Sequence, residues 1–373
     1  MSRVRLSRSS VGEEEKQALA RVIDDAYLGM GEEVRLFEEE ISAMIGGNRQ
    51  VVCVATGTAA LHMAVSCLDI GAGDEVLVPT ITYVASFQAV SATGAKPVAC
   101  DVRESDVFID LKDAEKRLTA KTCAIMPVHY ASGTGALRET YAFAKANGLR
   151  VIEDAAHSFG NERDGVRVGA EGDILCFSFD GIKNITSGEG GAIVTGDIAL
   201  AQRLRDARLL GVEKDTEARY GGRRTWTFDV KHQGFRYHMS NLMAALGREQ
   251  LQKLDRFSAR RRALAVRYVQ AFAGMNGLST LDMNWAGIVP HIFVVKVHEG
   301  RREALADHLK AQEIETGFHY QPNHRLTLFR TDYALPAADR LADELLTLPL
   351  HAELTDAEQD RVIAAVAGFF RSR

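Results

Sequence analysis

From about residue 50 to residue 200, short apolar runs alternate with stretches of helical composition. The runs are 51–55 (VVCVA), 75–79 (EVLVP), 97–100 (PVAC), 123–128 (CAIMPV), 150–154 (RVIED), 174–179 (ILCFSF) and 192–195 (AIVT). Most are separated by 10–25 residues of helical character, such as GTAALHMAVSCL and LRETYAFAKANG. Strand, helix, strand in this rhythm predicts βαβ units and a mainly parallel sheet, hence an α/β fold. Ligands of such sheets bind at the carboxyl ends of the strands.

The flanks read differently. Ser10 and Glu13 have capping-box spacing ahead of the helical run EEEKQALARVIDDAY. Met239, Leu242, Met243 and Leu246 share one helical face in a run ending near residue 271. Residues 289–297 (VPHIFVVKV) predict a strand, and 302–312 and 336–346 predict helices. Thr355 and Glu358 form a second capping box before a last helix. The chain therefore divides into a large domain, 1–249, and a smaller C-terminal α+β domain, 250–373. A length of 373 residues suits two such units.

Composition removes several function classes. Hydrophobic residues make up 46% of the chain, enough for a sizeable core. A net charge of −5 argues against a nucleic-acid binder, so an anionic ligand needs a local device. The first 17 residues, MSRVRLSRSSVGEEEKQ, have no apolar core and do not form a secretory signal. No stretch approaches the length of a membrane span. Cys53, Cys67, Cys100, Cys123 and Cys176 sit singly among apolar neighbours with no C-x-x-C pair. They read as free thiols in a reducing cytoplasm, with no metal site.

Three stretches at predicted strand ends carry chemistry. In TGTAAL, residues 56–61, Gly57 permits a tight turn, and the amides that follow begin a helix whose N-terminus attracts phosphate. The same pattern serves an ordinary strand–helix turn. In EDAAHSFG, Asp154 ends a very apolar strand, where a carboxylate needs a partner. That partner is a structural cation or the protonated ring nitrogen of pyridoxal phosphate. His157 lies three residues on, able to meet the same ligand or to be satisfied in the core. In FSFDGIKNITSGEGGA, residues 177–192, Lys183 stands just past a buried strand among small residues. A lysine so placed can form a Schiff base with an aldehyde, or can simply be solvated. Ser178 can donate to a phosphate. Together, a phosphate cradle, an acid and a carbonyl-trapping amine are the minimum for that cofactor. No G-x-G-x-x-G follows the first strand, which counts against a nicotinamide dehydrogenase.

The segments VATGTAALHMA, VPTITYVASF, VIEDAAHSFG, CFSFDGIKNITSGEGGAIVT, RYHMSNLMAALGREQL and HYQPNH occur in this order in the nucleotide-sugar aminotransferases of the DegT/StrS group. The chain resembles that family over nearly its whole length. The resemblance implies the aspartate aminotransferase superfamily, PLP-dependent transferase fold type I, and a homodimer with sites at the subunit interface. It implies pyridoxal 5'-phosphate on Lys183, with Asp154 on the pyridine nitrogen. It assigns the phosphate to Thr58, Ala59 and Ser178 beside Gly57, the cofactor face to Tyr83, and the ring hydroxyl to His157. Relatives that became dehydratases replace the lysine with histidine; Lys183 is retained here.

Where the family reads G-Y-N-Y-R-M this chain has GFRYHM, 234–239. Arg236 stands in for the asparagine that reaches the neighbouring subunit's phosphate, and His238 for a substrate contact. Tyr320 and His324 match residues near the substrate; packing between the domains is their other reading. Arg260, Arg261 and Arg262 read as a solvated helix face, and Arg223 and Arg224 as a loop that could clamp a diphosphate. KNITSGEGG is similar to relatives that aminate carbon 4 rather than carbon 3. The implied reaction moves the amino group of L-glutamate to an NDP-4-keto-6-deoxyhexose. A 3-keto sugar, a keto-inositol (aminocyclitol) substrate, and a non-catalytic PLP-binding regulatory protein are the alternatives.

Overall fold

Alternation along the buried strands sets the layers. The structure, a computed structural model, describes residues 3–46 and 48–371. Residues 1, 2, 47, 372 and 373, which the domain bounds 1–249 and 250–373 include, lie outside the described residues. The strands of the large sheet are β1 (Gln50–Val54), β2 (Glu75–Pro79), β3 (Lys96–Cys100), β4 (Thr122–Ile125) and β5 (Arg150–Asp154). A two-residue hairpin follows, β6 (Glu162–Arg163) with β7 (Val166–Arg167), and then β8 (Ile174–Ser178) and β9 (Gly191–Thr195) complete the sheet. Its order is β1-β9-β8-β5-β4-β2-β3. β9 runs antiparallel to both neighbours, so the other six strands share one direction.

Side chains alternate between the two faces of a strand. Val52, Val54, Val76, Val78, Ile152 and Ile174 pack into one core, with small residues of the helix that follows β1. Their neighbours divide between two further clusters. Val51, Cys53, Leu175 and Phe177 meet Val34, Phe37 and Ile41, while Leu77, Val98, Ile125 and Val151 pack with Leu137 and Ala144. Helices thus cover both faces, which is why these strands read as near-continuous apolar runs.

The helices of this part are α1 (Glu13–Asp24), α2 (Glu32–Ile45), α3 (Gly57–Cys67), α4 (Ala85–Ser91), α5 (Leu111–Lys116), α6 (Leu137–Ala146), α7 (Ile198–Ala207), α8 (Asp215–Tyr220) and α9 (Asn241–Gln252). Beyond them lie α10 (Leu254–Phe272), β10 (Leu278–Thr280), β11 (Phe293–Val297), α11 (Arg302–Ala311), α12 (Pro336–Glu344), β12 (Leu345–Leu348) and α13 (Asp356–Arg371). β10, β11 and β12 form an antiparallel sheet. No helix among the described residues is long and apolar enough to cross a membrane.

Four local expectations change. The first helix is capped by Gly12, whose amide donates to Glu15 Oε2 at 2.7 Å, while Ser10 bonds Glu353. Glu15 wins because it is buried against Lys253 and Gln250. The run to residue 271 is two helices broken at Lys253, whose ammonium is drawn onto Glu14 and Glu15. Leu345 and Leu346 leave the expected helix to pair with β11, tertiary pairing overriding the helix preference of leucine. The strand expected from residue 289 starts at Phe293. Before it, the amides of Val289 and His291 donate to Asn161 and Ser132 instead of a ladder. The Thr355–Glu358 capping box forms in both directions.

Candidate active site

A cavity of ≈ 530 Å³ opens at the carboxyl ends of the co-directional strands. That volume is in the range of small-molecule sites. The ends of β1, β2, β5 and β8 supply Gly57, Thr58, Tyr83, Asp154, His157, Ser178 and Lys183, and Tyr320 closes it from the C-terminal part.

The β1 end is an anion cradle. Thr56 caps α3, its Oγ1 accepting from the Ala59 amide at 3.0 Å. Ala59 is buried and its amide donates to that N-cap hydroxyl, so of the expected phosphate ligands it is the one whose amide already has an acceptor. The Gly57 and Thr58 amides remain without an acceptor among the described residues, and Thr58 is exposed to the cavity. Free amides at a helix N-terminus favour an anion. Ser178 lies against them: a Cβ placed on Gly57 would sit 2.8 Å from Ser178 Cβ and 3.0 Å from its Oγ. Gly57→Val is therefore expected to push the helix start off β8 and weaken pyridoxal phosphate binding by roughly tenfold or more. Fluorescence titration of the cofactor-free protein checks this.

β5 places two acids side by side and separates them by the strand alternation. Glu153 turns to the packed side, 2.9 Å from His129 Nε2 and accepting from Tyr141 at 2.6 Å. Asp154 turns to the cavity. Its Oδ2 accepts from Ser86 Oγ at 2.7 Å and its Oδ1 from the Ala156 amide at 3.2 Å. Thr82 Oγ1 lies 2.9 Å from Ser86 Oγ and continues that chain. The carboxylate is buried and has no cation within ion-pair distance among the described residues, so an N–H donor in the cavity would complete it.

Lys183 sits on a loop that is far from a solvated turn. Asn184, Ile185, Thr186 and Ser187 are all buried. The Asn184 amide donates to the carbonyls of Phe159, Val289 and His157 at 3.0, 3.2 and 3.4 Å. Burial lowers the Lys183 amine from 10.5 to about 8, while Asp154 and Asp180 oppose the shift and Arg261 adds to it. Three imidazoles surround it. His157 and His291 are held well below 6.5 and His319 at about 4, each by burial first and then by the Lys183 charge. His157 Nε2 lies 3.0 Å from the Tyr320 hydroxyl, and its Nδ1 is buried without a partner among the described residues. Tyr83 is exposed at the rim with its ring 5.7 Å from that of Tyr320.

Several assigned residues lie elsewhere. His324 does not line the cavity; its ring is 2.8 Å from Thr80 Oγ1 and 3.2 Å from Asp339, a packing role. His238 is also absent from the lining and pairs through its backbone with Val54. Its imidazole is lowered to about 4 by burial and by Arg236 and other nearby arginines. Arg236 is exposed beside Leu209 and outside the cavity of its own chain. Arg223 and Arg224 are exposed in a loop, with Trp226 84% exposed nearby.

The solvated face assigned to 260–262 is wrong for its middle residue. Arg261 is buried with Phe257, Leu264 and Tyr268, one inward stripe of α10. Its guanidinium donates to the carbonyls of His291 at 3.1 Å, and of Pro290, Leu350 and Lys183 at 3.4 Å. Sequence reading also missed His291, Ser86 and His319. The signal for His291 was a lone imidazole at the head of an apolar run, common enough to pass as core.

The residues present fit pyridoxal phosphate. Gly57, Thr58 and Ser178 offer an anion cradle that any Cβ at Gly57 would fill, Asp154 an uncompensated carboxylate, and Lys183 a buried amine of lowered basicity. The model of the DegT/DnrJ/EryC1/StrS aminotransferase family matches residues 9–367. The aminotransferase TlmJ from Streptoalloteichus hindustanus is 30% identical, with all of both chains covered and a TM-score of 0.92. S. venezuelae DesV is 35% identical over 96% of this chain and 95% of that one, with a TM-score of 0.87. A DegT DnrJ EryC1 StrS aminotransferase from Brucella abortus is 28% identical, covering 96% and 95%, with a TM-score of 0.86.

Proposed function

The chain belongs to the DegT/DnrJ/EryC1/StrS aminotransferase family, and on that premise we propose that it moves the amino group of L-glutamate onto a nucleotide-linked 4-keto-6-deoxyhexose. It is a sugar aminotransferase dependent on pyridoxal phosphate. The observation that carries the reading of the site is the convergence of Lys183, Asp154 and the Gly57–Ser178 cradle on one cavity. The choice of carbon 4 rests on the loop sequence KNITSGEGG.

When bound, pyridoxal phosphate supplies an electron sink for the carbon that loses its proton. In this reading Lys183 holds the cofactor, and the free amides of Gly57 and Thr58 with the Ser178 hydroxyl bind its phosphate. Asp154 keeps a proton on the ring nitrogen it faces, and Ser86 and the Ala156 amide hold the carboxylate in place. Lys183 Nζ, once free, takes the proton from the α-carbon of glutamate as a general base. On the return half it gives a proton to the sugar carbon that becomes amino-bearing. An amine of pKa about 8 does both near neutral pH, because neither of its forms is rare. His157 and Tyr320 bond each other across the cavity and are placed to orient the ring hydroxyl and the substrate. Tyr83 at the rim covers the cofactor face. The homodimer belongs to the same proposal, with Arg236 given to the neighbouring subunit's phosphate. Its support is that Arg236 is exposed and lies outside its own cavity.

Product analysis tests the substrate. Purified protein, glutamate and nucleotide-linked 4-keto-6-deoxyhexoses are expected to give the 4-amino sugar, at least tenfold faster than 3-keto isomers or a keto-inositol. Turnover of 3-keto sugars alone, or of the keto-inositol alone, would overturn it.

A further inference from the structure

The environment of the Lys183 amine contains an unexpected partner. Two carboxylates, Asp154 and Asp180, influence it electrostatically, yet neither comes within ion-pair distance among the described residues. Among the described residues, the group within hydrogen-bond reach of Nζ is His291 Nε2, at 3.4 Å. His291 is 3% exposed and lies 108 positions away in the chain, just ahead of β11. It is held on every side. Its amide donates to Ser132 Oγ at 2.9 Å, its carbonyl accepts from Arg261 at 3.1 Å, and its ring lies 4.5 Å from that of His157. Arg261 also reaches the Lys183 carbonyl, so one buried guanidinium ties the lysine loop to the histidine stretch.

We propose that His291 is a positioning residue: its neutral imidazole accepts a hydrogen bond from Lys183 Nζ and is the station of that amine whenever it is not bonded to the cofactor. The inference rests on the reading that Lys183 carries the cofactor. The chemical reason lies in the choice of acceptor. A carboxylate at this distance would stabilise the ammonium and lock its proton in place. A buried neutral imidazole fixes the direction of Nζ while leaving the amine free to gain and lose a proton. For Nε2 to accept, the ring proton must sit on Nδ1, which is buried and has no hydrogen-bond partner among the described residues.

The test compares His291→Leu, His291→Asn and His291→Gln, the last two differing only in whether an amide oxygen can reach Nζ. Two readouts are taken. One is the rate at which cofactor-free protein captures pyridoxal phosphate covalently. The other is kcat and KM for glutamate. His291→Leu and His291→Asn are expected to slow capture and lower kcat by roughly 10–100-fold with KM within threefold, and His291→Gln to recover most of both. Wild-type capture and kcat in His291→Leu overturn the proposal. So do equal rates in the Asn and Gln variants, fast or slow, which also decides the matter should the leucine variant not fold. Lys183→Ala separates the premise. If that variant still captures the cofactor covalently, the reading of Lys183 fails whatever His291 does. If it does not, a negative result at His291 removes this inference alone.

Discussion

Lys183→Ala is expected to abolish covalent cofactor attachment and to lower amino transfer by roughly 10⁴-fold or more, because one atom is both the attachment point and the base. Nothing nearby can take over. The surrounding imidazoles of His157, His291 and His319 are neutral, but they lie in fixed positions set by Tyr320, Ser132 and Thr347. The wild-type protein offers a matched signature. With the amine at about 8 instead of 10.5, about 10% of it is neutral at pH 7, against about 0.03% for an ordinary lysine. Covalent capture of pyridoxal phosphate is therefore expected to rise with pH to a midpoint near 8 and then level off. Intact-mass spectrometry after borohydride treatment measures attachment, and a coupled assay for 2-oxoglutarate measures transfer. An alanine variant that transfers amino groups at the wild-type rate would remove the basis of the proposed function.

Asp154→Asn is the second large effect, and it separates charge from shape. Asparagine is isosteric, and its Oδ1 can still accept from Ser86 Oγ, now at 2.7 Å from the carboxylate. The substitution removes the buried negative charge that holds a proton on a ring nitrogen. A preorganised charge in a water-poor site counts for far more than it would in water. The expected loss in kcat is roughly 10²–10³-fold, with covalent cofactor retained and the thermal midpoint little changed. Ser86, which bonds the carboxylate, and Thr82, which bonds Ser86, are expected to matter far less. A kcat within threefold of wild type would show that Asp154 acts as a structural acid, in the manner of its neighbour Glu153 with His129 and Tyr141.

The legible part of this site has a common physical origin. Gly57, Asp154, Ser178 and Lys183 each sit at or just past the end of a buried strand, where an apolar run meets small or polar residues. Strand ends of a parallel sheet converge on one side, so local pattern carries over to three-dimensional proximity. The Asn184 side chain shows the limit of that logic. Its place after the lysine reads as a polar loop, yet it is buried and binds three carbonyls from two other segments. Arg261 shows it more sharply. Three successive arginines look solvated until the inward stripe of α10 claims the middle one. The strand β12 was hidden for a similar reason, since consecutive leucines suit a helix until an edge of β11 is there to pair with.

By itself, then, the order of apolar runs and turn residues determined the α/β class, a mainly parallel sheet, and the placing of Lys183 and Asp154 at strand ends that line one cavity. These are consequences of periods of two and of chain direction, both written locally. The tertiary structure alone decided who stands beside them: Ser86 under Asp154, His291 against Lys183, Arg261 across both segments, and His324 turned away to Thr80 and Asp339. Those neighbours are joined by contacts between residues 15 to 244 positions apart. A hydrogen bond depends on where two groups lie in space, and no local pattern encodes that separation.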